Sequence, residues 1–211
     1  VDVRSAEVRE KMVVVTRASV SPPSLGLAAS RRRPSDWSAR RERAAVRGAQ
    51  AGSRDALELL FRWHWPRAHR AAYLVVHDSA AAEDIAQEAF LSALRALDGF
   101  DRRRPFGPWL GRIVVNRAID YARARALRRE VGSEPPAPAA HPAPTGGWSD
   151  AVIAALAGLE PEQRAVVVLR YLLEYTPGEI AAALGLPRGT VNSRLRRGLD
   201  RLAIALEDER P

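Results

Sequence analysis

Cysteine is absent from the 211 residues, and lysine occurs once, at Lys11. The first absence excludes a disulfide framework, a thiolate nucleophile and any Cys-based zinc site. The second means that the net charge of +8 is carried almost wholly by arginine. Long apolar runs are lacking too. None approaches the roughly 20 residues of a membrane-spanning helix. Val13-Val14-Val15 is too short for a signal-peptide core and has acidic residues near it. A soluble, cytoplasmic chain without membrane insertion is expected.

Recurrent catalytic signatures are missing as well. There is no G-x-x-x-x-G-K phosphate loop and no G-x-S-x-G nucleophile turn. His64 and His69 are five apart, which sets them roughly 140° apart on a helix and not on one face as a metal pair requires. His77 falls in a loop and His141 in a Pro-rich stretch. Glu83, Asp84 and Glu88 could pose as acid/base carboxylates, but their helix face looks exposed, with no pocket to shift them. No catalytic residue, metal or cofactor is therefore expected, and an enzyme is the least supported class.

Arginine forks bind phosphate bidentately and stack on bases, which favours a nucleic-acid partner. A GC-rich genome encoding Arg for Lys would give the same composition, so placement decides. Residues 101–129 hold nine Arg against Asp101 and Asp120. That stretch carries nearly the charge of the whole chain, as a binding footprint would.

Patterning divides the chain into two all-helical modules. Residues 1–37 lack periodicity and contain Ser21-Pro22-Pro23-Ser24 and Arg31-Arg32-Arg33-Pro34. They read as a disordered tail, or as an early start assignment with Met12 or a later residue as the true start. The first module covers 38–129. Its expected helices are Arg40 to Gln50, then one capped by Ser53 with the stripe Leu57, Leu60 and Phe61. Pro66 starts or kinks the next, which runs to about Val76. Ser79 or Ala80 opens another to Leu97, and Phe106 the last to Arg129. Residues 130–148 hold five prolines and read as a flexible linker with polyproline-like segments. The second module covers 149–207, beginning with short helices from Asp150 and Pro161.

Three faces stand out. On the 79–97 helix, Ile85, Ala89, Ala93 and Leu97 form an apolar stripe, while Asp84, Gln87, Glu88 and Leu91 form an acidic face with an exposed leucine. That face is either plainly solvated or a dock for a basic protein partner. On the 106–129 helix, Trp109, Arg112, Asn116, Asp120 and Arg123 share a face, next to the loop carrying Arg102, Arg103 and Arg104. An aromatic with arginines and an amide suits unpaired bases. The alternative has Trp109 as core and Asn116 with Asp120 as a self-satisfied surface pair.

The third face is the most specific. Residues 176–202 read T-P-G-E-I-A-A-A-L-G-L-P-R-G-T-V-N-S-R-L-R-R-G-L-D-R-L. Ile180 and Leu184 stripe a first short helix. Val191, Leu195, Leu199 and Leu202 stripe a second. Gly185 suits the left-handed turn that ends a helix, and Pro187 the start of the next. Off the stripe lie Arg188, Thr190, Asn192, Ser193, Arg194, Arg196 and Arg197, a set of phosphate and base-edge partners. The arrangement is a helix-turn-helix with a basic second helix; a helical hairpin with a solvated Arg face is the plain alternative.

Taken together, these segments resemble bacterial RNA polymerase sigma factors of the sigma-70 superfamily, extracytoplasmic-function group. The resemblance rests on E-D-I-A-Q-E-A-F-L-S-A-L-R-A-L-D-G-F (83–100), F-G-P-W-L-G-R-I-V-V-N-R-A-I-D-Y-A-R (106–123), L-E-P-E-Q-R-A-V-V-V-L-R-Y (159–171) and E-I-A-A-A-L-G-L-P-R-G-T-V-N-S-R-L-R-R-G-L (179–199). It implies an all-α fold in which a region 2 bundle and a region 4 helix-turn-helix are joined by the linker. It also implies that Asp84, Gln87, Glu88 and Leu91 dock on the β′ clamp helices of core polymerase, with the β flap as a further contact. Arg102, Arg103, Arg104, Trp109, Arg112 and Asn116 would capture the −10 strand. Asn192, Ser193, Arg196 and Arg197 would read the −35 element of promoter DNA, with Arg188, Thr190 and Arg194 on phosphates. An anti-sigma factor is a further implied partner. A free-standing helix-turn-helix regulator is the other class that these motifs allow. Two departures stand out: Asn192 replaces a commonly basic residue, and Gly198 a frequent Ala, which is expected to weaken the helix slightly. Nothing follows Pro211, so C-terminal regulation is not expected.

Overall fold

The computed structural model describes residues 36–130 and 148–208, and every long element among them is an α-helix. In order these are α1 (Asp36–Gln50), α2 (Arg54–Val76), α3 (Ser79–Arg95), α4 (Phe106–Glu130), α5 (Asp150–Ala157), α6 (Pro161–Tyr171), α7 (Pro177–Leu184) and α8 (Arg188–Asp208), with a 3-10 turn at Leu97–Gly99. The readings made for 1–35 and 131–147, including the tail, His141 and most of the linker, lie outside the described residues.

Local chemistry sets the boundaries. Gly52, at φ +84°, turns the chain out of α1, and the Ser53 hydroxyl caps α2 by accepting from the Ala56 N–H. His77 closes α2 in the left-handed region at φ +51°, its N–H bonded to Tyr73 O. Asp78 then caps α3 through the Ala81 N–H at 3.0 Å. Thr176 and Glu179 form a reciprocal capping box on α7, and Gly185 ends that helix at φ +63°, as its position requires.

The first module is built on α2, which packs against α1, α3 and α4. The stripe Ile85, Ala89, Ala93 and Leu97 is buried, opposite Leu60, Ala71, Leu74 and Val75 of α2 and Val114 and Val115 of α4. Two expectations need correction. Pro66 starts no new helix but lies inside the 23-residue α2. One lost N–H bond is outweighed by the packing of Leu60, Ala68 and Trp65 around it. Of the stripe Leu57, Leu60 and Phe61, only Leu60 is fully buried; Phe61 stays 42% exposed, stacked on Trp65 at 4.8 Å.

In the second module α6 and α7 pack against α8 through Val166, Val167, Ile180, Val191, Leu199 and Leu202. Gly198 has a use that helix propensity misses. A Cβ there would lie 3.2 Å from Val167 Cγ2, so glycine lets α8 sit close on α6.

The two modules are packed on each other along a seam. Helix α6 lies against α2 and α4, α5 against α2, and α7 against α4. Arg164 sits at its centre, donating to Val75 O (2.5 Å), Ala157 O (2.8 Å) and Leu159 O (2.7 Å). Arg67 donates to Leu172 O at 2.5 Å, Tyr175 OH to Pro108 O, and Asn116 Nδ2 to Ala183 O at 3.2 Å. Arg123 pairs with Glu162 at 2.7 Å. Trp148, read from sequence as the last linker residue, is 3% exposed and lies under the Arg70 guanidinium at 5.5 Å. A large indole removed from water outweighs the Pro/Gly-rich context that suggested a linker.

Burial holds the Arg164 and Arg70 guanidiniums down to about 10, Arg67 adding repulsion at Arg70. It also lowers His77 from 6.5 to about 4, with the Arg164 charge beside it. As pH falls through that window the unfolded chain takes up the His77 proton before the folded one does. Stability is thus expected to fall from about pH 6.5 to about pH 4. The His77→Asn variant, which tolerates the left-handed backbone, is expected to flatten that decline in thermal melts followed across the window. Gly111 offers a test of the seam itself: a Cβ there would lie 3.0 Å from Leu173 Cδ1 and 3.1 Å from Tyr175 OH. Gly111→Val is expected to open the seam, raising the radius of gyration in small-angle scattering at unchanged helicity.

Candidate nucleic-acid interface

The basic helix α8 is amphipathic in the sense that its sequence implied. Val191, Leu199 and Leu202 are buried, while Arg188, Asn192, Arg196 and Arg197 are exposed and Thr190, Ser193 and Arg194 half-buried. The Ser193 hydroxyl donates to Thr190 O at 3.0 Å, and the Arg197 guanidinium reaches back to Ser193 at 3.4 Å. Helix α7 crosses behind, held by buried Ile180. A ridge of this kind can enter a major groove, with side chains on both base edges and phosphates.

A second basic surface lies where the 3-10 turn leads into α4. Arg102, Arg103 and Arg104 are exposed in a compact turn, in which Asp101 accepts from the N–H groups of Arg103 and Arg104 at 2.9 Å. Beneath it Phe100, Phe106 and Trp109 form an aromatic cluster, with Phe100 and Trp109 centroids 4.5 Å apart. Trp109 is half-buried, neither full core nor a free platform, and Arg112 is exposed. Asn116 is not paired within its own helix in the manner of an Asn116–Asp120 surface pair; its amide is spent on Ala183 O of α7. The seam therefore brings one of the candidate base readers against the second module.

The acidic face is present on α3. Asp84, Gln87, Glu88 and Leu91 are all exposed, Leu91 at 52%. Glu88 is not an isolated charge: Arg117 of α4 donates to its Oε2 at 2.7 Å and to Ser92 Oγ at 2.7 Å. Arg117 thus orients the face from behind.

Glu42, Gln50, Tyr175 and the Glu42 partner His64, four contributors in all, lacked any local signal. Glu42 of α1 accepts from the Phe106 and Gly107 N–H groups at 3.3 Å each and pairs with His64 Nε2 at 3.1 Å. Burial pushes its carboxyl up, but His64 and those two N–H groups outweigh this and hold it below its ordinary value. Gln50 donates to Leu97 O and Phe100 O. The fourth, Tyr175, faces a cavity of about 590 Å³ at the seam, lined also by Arg41, Trp63 and Arg67. Its phenol is pushed up by burial. The partners of Glu42 and Gln50 lie 22 to 65 residues away in the chain, beyond any window that periodicity can read. Among the described residues, no group of His, Asp and Glu could hold a metal ion, and no helix is long and apolar enough to cross a membrane.

Comparison with known proteins gives two family matches: Sigma-70 region 2 over residues 60–128 and Sigma-70, region 4 over residues 149–202. The chain is 38% identical over 156 residues to the ECF RNA polymerase sigma factor SigM of Mycobacterium tuberculosis, covering 74% of this chain and 80% of that one. It is 32% identical over 178 residues to the ECF RNA polymerase sigma factor SigW of Bacillus subtilis, covering 77% and 95%. Among solved structures it is similar to CnrH in complex with the cytosolic domain of CnrY, with TM-score 0.60, 29% identity, and coverage of 81% of this chain and 99% of that one. It is also similar to the sigma factor RpoE in complex with the anti-sigma factor NepR from Bartonella quintana, with TM-score 0.59, 26% identity, and coverage of 72% and 98%.

Proposed function

The chain belongs to the extracytoplasmic-function group of sigma-70 factors, and from that membership we propose how its surfaces divide the work of promoter recognition. As a sigma factor it binds core RNA polymerase and directs promoter-specific, DNA-templated transcription initiation. The finer assignment treats 38–129 as region 2 and 149–207 as region 4, acting in the cytoplasm and on the nucleoid once in holoenzyme. The chain contributes no catalytic step; the core enzyme makes the RNA.

Asp84, Gln87, Glu88 and Leu91 form the dock for the polymerase β′ clamp helices, with the β flap contacting region 4. Exposed carboxylates around one exposed leucine support this, since a basic partner would gain charge complementarity at the rim and apolar burial at the centre. Arg102, Arg103, Arg104, Trp109, Arg112 and Asn116 handle the −10 strand once it is unpaired. Asn192, Ser193, Arg196 and Arg197 read the −35 element, and Arg188, Thr190 and Arg194 hold phosphates. The observation that carries the reading is helix α8, whose Arg188, Asn192, Arg196 and Arg197 are exposed while Val191, Leu199 and Leu202 anchor its other side.

Reading both elements at once requires the seam to open. Sites about 17 base pairs apart lie roughly 58 Å apart along B-DNA, and Asn116 cannot face bases while its amide is bonded to Ala183 O. The packed arrangement is thus the form of the free chain, and holoenzyme assembly separates the modules. An anti-sigma factor is the class of partner expected to oppose that step, by likeness to the relative bound to one.

Run-off transcription with core polymerase on a genomic promoter library tests the whole reading: selected promoters are expected to fire, and mere repression of a competent holoenzyme would overturn it. Asp84→Arg is expected to weaken core binding, measured by holoenzyme reconstitution, and unchanged affinity would remove the dock from α3. Arg197→Ala is expected to cost about 1–3 kcal/mol, selectively on matched −35 sequences. An equal loss on every sequence would make Arg197 a phosphate contact.

A further inference from the structure

The loop at 101–105 is exposed along its whole length, yet it is held at both ends by a single helix. On the entry side, Gln50 Nε2 donates to Leu97 O at 2.8 Å and to Phe100 O at 3.1 Å, so both amide hydrogens are engaged. On the exit side, Glu42 accepts from the Phe106 and Gly107 N–H groups, which are unpaired donors at the start of α4. His64 Nε2 of α2 lies 3.1 Å from the Glu42 carboxylate. Space confirms how closely this end is built: a Cβ on Gly107 would lie 3.1 Å from His64 Cε1. Between the two anchors, Phe100 and Phe106 pin the loop to Trp109 by ring contacts.

We infer that Gln50 and Glu42 are positioning residues for −10 capture, presetting the path of 101–105 so that Arg102, Arg103 and Arg104 meet the unpaired strand beside Trp109 in one geometry. The inference rests on the assignment of that loop to the −10 strand. The physical reason is preorganisation. A five-residue loop left free would lose backbone freedom on each encounter, and a loop with fixed ends has already lost it. A free loop would also accommodate more than one base, so fixing it sharpens discrimination.

The test uses the full chain in holoenzyme with core polymerase. Open-complex formation is measured on four promoters: matched, mismatched at −10, mismatched at −35, and mismatched at both. Gln50→Glu keeps size while turning a donor into a carboxylate facing two carbonyls; Gln50→Ala is the milder change, and Gln50→Lys restores a donor. The expected result for Gln50→Glu and Gln50→Ala is a fall in the matched-to-mismatched ratio at −10 on the order of tenfold, the loss expected from two hydrogen bonds. The −35 ratio and core affinity stay as they were, and Gln50→Lys recovers part of the −10 ratio. A purely structural role would lower the melting temperature and the yield of holoenzyme but leave the −10 ratio of the assembled fraction unchanged, which overturns the inference. Trp109→Ala and Arg103→Ala separate the two levels. If they lower the −10 ratio and the Gln50 variants do not, positioning fails alone. If neither they nor the Gln50 variants lower it, the assignment of the loop fails with it.

Discussion

A guanidinium taken out of water needs partners for its N–H fork, and the seam of this chain is organised around those that the two terminal nitrogens of Arg164 find, its Nε having none among the described residues. Among the described residues no carboxylate bonds it, and its partners are main-chain oxygens: Val75 in the last turn of α2, Ala157 at the end of α5, and Leu159 in the turn that follows. Oxygens at helix C-termini are those left without an N–H partner within the helix, and they lie at the negative end of the helix dipole. One cation thus draws two helix ends and a turn to a single point, and the rest of the seam is arranged around it. Lysine, with a compact ammonium in place of a planar fork, could not span the three oxygens in the same way. The near-absence of lysine, neutral as composition, acquires a structural meaning here.

Charge at the seam is lopsided. Arg67, Arg70 and Arg164 meet there, with Glu162 pairing Arg123 at its edge. Arg67 and Arg164 are bonded there to main-chain carbonyls, and Arg70 lies over an indole. Alanine, valine and leucine dominate the buried residues, which form one apolar cluster running through both modules.

Much of the architecture could be read from residues alone, because helices announce themselves over short windows. The stripe on α3, the Ser53 cap, the Gly185 turn and the outward arginines of α8 all lie where periodicity and turn chemistry put them. What escaped was of another kind. Phe61 follows the apolar spacing but faces outward, since Trp65 and Phe90 cover only part of it. Pro66 reads as a possible helix start and is not one, because the helix runs through it from Arg54 to Val76. Trp148 reads as linker because its context does, and is buried because a distant arginine lies above it. Glu42, Gln50, Arg67 and Arg164 bond largely to main-chain atoms, and every residue supplies a carbonyl. A side chain seeking one leaves no mark at its partner's position in the sequence.

That indifference to the partner's identity has a consequence for the turn at 101–105. The two anchors from α1 grip Leu97 O, Phe100 O and the N–H groups of Phe106 and Gly107. None of these bonds involves a side chain of residues 101–105. Substitutions among those five positions leave both anchors in place, whereas loss of the Gln50 amide removes both bonds on the entry side. The path of the turn is thus set apart from the chemistry that its five side chains present, and one can change without the other.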